Sequence, residues 1–254
     1  MRRTPRSKRT GEVRSATRLL ASVLALAGAA SCTASPDFEN IYSRGQAPRV
    51  VCSESIDDSV HIPLDQILSW IERAKHDGTT LHLYTHRPGE TIQVATLEAV
   101  LAGAVEHGVA FTTYDQLDRA APGSLALSFD DDNLDSWTAI RPLLARYHAR
   151  VTFFISGFLD LAEPQRAELR QLADDGYDIE YHSTHHFNAA EYAGEHGLEG
   201  YIADDITPAL EAMLAAGYPI SVFAYPHGDR NQSLDDALAP YFTHLRANHS
   251  RCPR

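Results

Sequence analysis

Three short stretches of the chain place metal-ligating and proton-transferring side chains at the ends of apolar runs. The first is Ser124-Leu-Ala-Leu-Ser-Phe129, which runs directly into Asp130, Asp131 and Asp132. Three adjacent carboxylates repel one another unless a cation or solvent intervenes. They read as a metal ligand beside a general base, or as a solvated turn whose aspartates cap a helix through Leu134 and Trp137. The second stretch follows Tyr177-Asp-Ile-Glu-Tyr181 and is His182-Ser-Thr-His185-His186. On a helical turn, side chains four apart face the same way, and neutral imidazole is the commonest metal ligand. A surface histidine run is the competing reading in a chain with 13 histidines. The third is Ser221-Val-Phe-Ala-Tyr-Pro-His-Gly228. Pro226 brings no N–H and Gly228 permits a tight turn, so this is a rigid loop presenting a backbone N–H or an ordinary strand end. Taken together, two histidines and a carboxylate give three protein ligands and an open fourth position, the layout of a catalytic zinc site. A second carboxylate beside them is placed to take a proton from water.

Such residues need a scaffold that gathers strand ends. Pro63 opens a helical stripe of Leu64, Ile67, Leu68 and Ile71 that Gly78 stops, and Leu97, Val100, Leu101 and Val105 form a second, closed by Gly108. Leu81 to His86 alternates as a strand does. Short apolar runs recur at 110–114, 124–129, 151–155, 177–181 and 221–225, with helical segments at 164–173 and 202–215. Strands alternating with helices predict βαβ units in one α/β domain over 61–254, closing a parallel sheet or barrel. In such folds the chemistry collects where strands end. Residues 33–60 are mixed and polar and read as a tether.

The stretches Ser-Phe-Asp-Asp-Asp, His-Ser-Thr-His-His and Phe-Ala-Tyr-Pro-His-Gly occur in the order found in NodB-type polysaccharide deacetylases, carbohydrate esterase family four. The linking segments Ala149–Ile155 and Gly176–His182 are similar too, so the chain resembles that family over residues 81–247. The resemblance implies a distorted, incomplete (β/α) barrel that hydrolyses acetyl groups, usually from N-acetylglucosamine units, with zinc or another divalent ion. It implies Asp130 as catalytic base, Asp131, His182 and His186 as metal ligands, His185 as a spacer, and the His227 N–H as an oxyanion donor. Tyr225, Pro226 and His86 are candidates to line the site, with a structural role the alternative for His86.

The chain departs from the family at two places. An arginine that pairs with the base often opens the third motif; Ala224 stands there. Without that cation, Asp130 loses one influence holding its pKa down. The Phe-Ala-Tyr-Pro form nevertheless resembles the branch acting on poly-N-acetylglucosamine. The family also places a general-acid histidine near its last strand, and no segment after 241–247 resembles that strand. This leaves a substitute among His227, His244 and His249, an acid drawn from metal-bound water, or a C-terminally truncated and poorly active domain. Three readings follow. They are an N-deacetylase, an O-acetyl esterase, whose leaving group needs a proton less urgently, and a non-catalytic relative that binds glycan or metal. Trp137 and the tyrosines either stack on sugar rings or pack in the core.

Of the 254 residues, the first 31 hold seven Arg/Lys and one acid. Removing that +6 from the whole-chain charge of −12 leaves 223 residues at −18. Such a body repels nucleic acid and suits a neutral substrate or a bound cation. A basic stretch ending at Arg18 precedes the apolar run Leu19–Ala30, too short to span a bilayer, which is the layout of a secretory signal. Ala29, Ala30 and Ser31 before Cys32 resemble a bacterial lipoprotein box, with Ala29 in place of the preferred leucine. That resemblance implies a lipid-bearing Cys32, facing periplasm or cell surface and touching membrane only through its anchor; plain secretion is the alternative. Export would let Cys52 and Cys252 pair across the domain, or leave two free thiols.

Overall fold

In β-strands, side chains alternate between faces, so a barrel strand needs one face for a helical layer and one for the lumen. The chain meets that demand repeatedly. The computed structural model describes residues 38–252. The elements run β1 (Tyr42–Ser43), β2 (Val50–Ser55), α1 (Leu64–Asp77), β3 (Thr80–Thr85), α2 (Val94–Glu106), β4 (Ala110–Thr112) and β5 (Ser124–Asp131). They continue through α3 (Leu134–Ala139), α4 (Arg141–Arg146), β6 (Thr152–Ile155), α5 (Glu163–Asp174), β7 (Asp178–Tyr181) and α6 (Ala189–Tyr201). Last come α7 (Thr207–Ala215), β8 (Val222–Ala224), α8 (Gln232–Leu238) and β9 (His244–Asn248).

Seven parallel strands form the barrel in the order β2-β3-β5-β6-β7-β8-β9, and β9 pairs back onto β2. Two short strands lie outside the ring: β1 runs antiparallel beside β3, and β4 parallel beside β5. The barrel is uneven. β3 and β5 pair over six residues, whereas β7 and β8 meet only at Tyr181 and Phe223. Leu81, Leu83, Leu125, Leu127, Phe129 and Phe153 pack outward on buried residues of α1 and α2 such as Ile67, Ile71, Leu97 and Leu101. Val51, Ala126, Phe154, Val222 and Ala224 form a separate cluster inside. Trp137 is buried in the outer core against Phe153, so it is unavailable to a sugar.

Two sequence expectations are corrected. The tether expected over 33–60 is not one from residue 38 on, because β1 and β2 lie there and β2 belongs to the ring. Its polar residues misled: Ser53 and Ser55 face the lumen and Glu54 is buried among outer contacts. The last strand thought to be missing is β9, which pairs with both β8 and β2. The leader and Cys32 lie outside the described residues, among which no helix is long and apolar enough to cross a membrane.

Cys52 on β2 and Cys252, just past β9, form a disulfide with Cα atoms 5.9 Å apart. It joins the first and last strands of the ring across 200 residues of sequence. A link closing so long a loop restricts the unfolded chain, worth about 3–5 kcal/mol. Cys252→Ser is therefore expected to lower the unfolding free energy by about that amount in urea titrations. Reductant should produce the same loss in wild type and no further loss in the variant.

Candidate active site

His86, Asp130, Asp131, His182, His186, Tyr225 and His227 gather at one mouth of the barrel, where the strands end at their carboxyl side. A cavity of about 250 Å³ is lined there by Tyr84, His86, Asp130, Asp131, His182, His186, Tyr225, His227, Gly228, Arg246 and Asn248. A larger open groove of about 640 Å³ between Arg141 and Tyr177 holds no comparable constellation.

Asp131, His182 and His186 bring one ligand atom each to within 4.8 Å of the others. The two imidazole Nε2 atoms are 3.2 Å apart. Asp131 Oδ1 lies 3.2 Å from His186 Nε2 and 3.6 Å from His182 Nε2. Ligands 2.0–2.1 Å from a tetrahedral zinc would be separated by about 3.3 Å. The donor set therefore fits a divalent cation. His182 Nδ1 lies 2.8 Å from the Ala224 carbonyl, so an N–H there donates to it and leaves the Nε2 lone pair facing its partners. Burial, reinforced by His186, holds His182 well below the usual imidazole pKa, in the neutral form that binds metal. Burial works against the charge of Asp131, but the hydrogen bond from His186 and the fields of His182 and His86 hold its pKa down to about 2.

The two histidines do not converge by helical spacing. They belong to a loop after β7 in which Ser183 and His186 adopt left-handed backbone, with φ of 75° and 59°. Asp131 and His227 do the same, at 84° and 58°. Four of the six described non-glycine residues with positive φ thus sit in site loops, each position unfavourable by about 1 kcal/mol or more. Nor do Asp130, Asp131 and Asp132 cap a helix: Asn133 is the residue before α3, and its side chain makes no capping bond.

Asp130 is 2 % exposed and shares the lumen with Arg246 of β9, itself 3 % exposed. Arg246 Nη2 donates to Asp130 Oδ2 at 2.5 Å and Nη1 to Ser53 Oγ at 3.0 Å. The guanidinium lies 4.5 Å from the Tyr84 ring centre. Ala224 thus leaves no gap in charge, because a different strand supplies the cation. Burial raises the pKa of Asp130 above the ordinary carboxylate range, with Arg246 and His86 opposing it. Its second oxygen, Oδ1, is buried with no hydrogen-bond partner among the described residues, although the residue lines the cavity.

His86 stands across the cavity, just past β3. Its Nδ1 is 2.5 Å from Asp57 Oδ2, and Asp57 also accepts from the hydroxyls of Thr85 at 2.5 Å and Thr91 at 2.7 Å. Burial disfavours the imidazolium, but the Asp57 hydrogen bond and the charges of Asp130 and Asp131 outweigh it, pushing the pKa up to about 9. The other histidines weighed as acids are elsewhere or exposed. His244 Nδ1 lies 3.0 Å from the Pro48 carbonyl and its Nε2 3.4 Å from Asp118. His249 faces Glu54 outside the barrel at 2.9 Å. His227 lines the rim with an exposed ring 4.7 Å from that of His186, and its N–H has no acceptor among the described residues. Pro226 and Tyr225 lie under this turn, with the Tyr225 hydroxyl bonded to Asp235 at 2.9 Å. Gly228, at φ 66°, is obligatory: a Cβ there would lie 2.4 Å from the Asn248 Cβ and 2.8 Å from its backbone N.

Sequence reasoning missed Arg246 and Asp57. For Arg246 the signal was present, since His244, Arg246 and Asn248 alternate with Leu245 and Ala247 as one lumen-facing set. Asp57 carried none, being recognisable only once Thr85, His86 and Thr91 surround it.

A family model described as Polysaccharide deacetylase matches residues 118–241. No curated protein matches the chain at a significant level. IcaB from Ammonifex degensii is similar in structure, with a TM-score of 0.51 and 20% identity, covering 69% of this chain and 87% of that one. It shares the fold. The BpsB deacetylase domain from Bordetella bronchiseptica has a TM-score of 0.47 and 15% identity, covering 79% and 94%. BC0361, a polysaccharide deacetylase from Bacillus cereus, has a TM-score of 0.45 and 15% identity over 66% of this chain. The match spans 56% of the length of that protein.

Removing one member of a buried ion pair leaves the other uncompensated, at a cost of about 3–5 kcal/mol. Arg246→Met is therefore expected to destabilise the fold by about that much at pH 8. The loss should be smaller at pH 5, because removal of Arg246 raises Asp130 further and makes protonation of the uncompensated carboxylate easier. Denaturant titrations at the two pH values measure both.

Proposed function

We propose that the chain is a metal-dependent hydrolase that removes N-acetyl groups from a polysaccharide of the N-acetylglucosamine type. One observation carries the reading. Asp130, whose buried Oδ1 has no hydrogen-bond partner among the described residues, and His86, a histidine biased toward its protonated form, line one small cavity beside three converging ligand atoms. The polysaccharide deacetylase match over residues 118–241 supports the same chemistry.

Asp131, His182 and His186 would hold the ion, which supplies Lewis-acid polarisation and charge stabilisation when bound. The protein's own groups divide the proton work. Asp130 Oδ1 accepts a proton from the attacking water, with Arg246 fixing the other carboxylate oxygen in place. The unpaired His227 N–H is aimed to stabilise negative charge developing on the acetyl oxygen. His86, its Nδ1 engaged by Asp57, presents Nε2 to the cavity and gives its proton to the departing amine. Acetate and a free amine result. Ester cleavage drew its support from the lack of an acid, and His86 fills that role, which favours the amide.

We propose further that the protein works outside the cytoplasm, held to a membrane through a lipid on Cys32. The Cys52–Cys252 disulfide supports an oxidising compartment.

Acetate release from soluble N-acetylglucosamine oligomers is expected to require a divalent ion, to stop with a chelator and to return with zinc. Asp130→Asn and His86→Gln should each lower kcat by about 10²–10⁴-fold while retaining metal. Because His86 must carry its proton, kcat should fall as pH rises through about 9. In Asp57→Asn that limb should move to lower pH. Bound metal without acetate release from N-acetylated or O-acetylated glycan would favour the non-catalytic reading.

A further inference from the structure

The carboxylate of Asp205 has no exposed surface and no ion-pair partner among the described residues. It belongs to a single π-helical turn, Ile202–Ile206, between α6 and α7. The turn has a local cause. Pro208 has no N–H with which to bond the carbonyl four residues back, so regular helix cannot run through Asp204. One residue on, the Ala209 N–H, which would ordinarily bond the Asp205 carbonyl, donates instead to Thr184 Oγ1 at 3.2 Å.

That exchange frees both polar ends of Asp205 for the loop carrying the histidines. Its carbonyl accepts the Thr184 N–H at 2.8 Å and the Tyr181 hydroxyl at 2.9 Å. Its side-chain Oδ1 accepts the His185 N–H at 2.6 Å, while Oδ2 is buried with no hydrogen-bond partner within reach among the described residues, on the side of the Ser183 hydroxyl and Phe187 N–H. Ser183 Oγ in turn accepts the His186 N–H at 2.8 Å. The loop gathered in this way contains the two left-handed residues Ser183 and His186, which would not hold such backbone unaided.

We infer that Asp205 is a positioning residue for the metal site, fixing the Ser183–Phe187 loop so that His186 Nε2 meets His182 Nε2 and Asp131. The inference rests on the metal-site reading proposed above. Asp205 touches neither metal nor substrate; it acts through the backbone that aims His186.

Asp205→Asn keeps the shape but replaces one acceptor oxygen with a donor that faces N–H and O–H groups. The expected result is a folded protein that binds zinc at least tenfold more weakly in competition with a chromophoric chelator. Thermal unfolding of the metal-free protein, followed by circular dichroism, separates this from a general loss of structure. A lower melting temperature with zinc affinity within twofold of wild type would overturn the inference. Ser183→Ala, which deletes the hydroxyl between Asp205 and the His186 N–H, is expected to weaken zinc several-fold and carries the test if Asp205→Asn does not fold. Unchanged affinity there would also overturn it. Wild type that binds no zinc would instead overturn the underlying reading of the site, and the inference with it.

Discussion

A carboxylate held in a barrel is driven toward its neutral form by burial, yet the base role proposed for Asp130 needs it ionised. The contact between Asp130 and Arg246 meets that conflict, and much of the architecture serves it. The guanidinium needs space in the lumen, and small residues supply it: Ser53, Ala126, Ser128 and Ala224 leave the centre open where larger side chains would fill it. It needs a cover, and the faces of Tyr84 and Phe154 provide one. It also needs β9 seated between β8 and β2, which is the pairing that closes the ring. A polar lumen costs stability compared with an apolar one; the large outer core between strands and helices offsets that cost.

Around this pair, the site is assembled from loops that are unfavourable taken singly. Asp131, Ser183, His186 and His227 all depart from ordinary backbone, and each is held by packing or hydrogen bonds from a neighbouring element. Gly228 lies against β9 with no room for a Cβ, so the turn presenting the His227 N–H and the strand presenting Arg246 fix each other's position. Asp57 plays a comparable part for His86, with two threonine hydroxyls steadying its carboxylate. The groups proposed to react therefore come from the ends of four strands, β3, β5, β7 and β8, while their supports come from elsewhere in the chain.

This division explains what could be read from sequence. The strand-ending Asp130 and Asp131, the His182/His186 pair and the Tyr225–Gly228 turn were legible because each lies within a short stretch with an apolar run before it. The alternation of strands with helices likewise announced the barrel. The supports were not legible, because a lone Asp57 or Asp205 in a polar stretch looks like any solvated acid. Residues 50–55 were misjudged for a related reason: a strand whose inner face borders a polar lumen carries serines where an apolar core would demand valines. Arg246 shows in sequence only as one of an alternating set, and the pairing of β9 with β2 that seats it joins segments almost 200 residues apart.

That long-range pairing has a consequence for how the protein comes into being. β2 precedes β9 by almost 200 residues and so leaves the ribosome well before it. Until β9 pairs with β2, β2 has an open edge and the lumen lacks its cation, so a chain without β9 carries Asp131, His182 and His186 but no counter-charge for Asp130. Seating β9 closes the ring and brings Arg246 to Asp130, and the Cys52–Cys252 disulfide links the two strands that meet there. Contacts of such sequence separation form slowly and leave unpaired edges exposed meanwhile. Helpers that shield unfinished chains are therefore expected to matter for this fold.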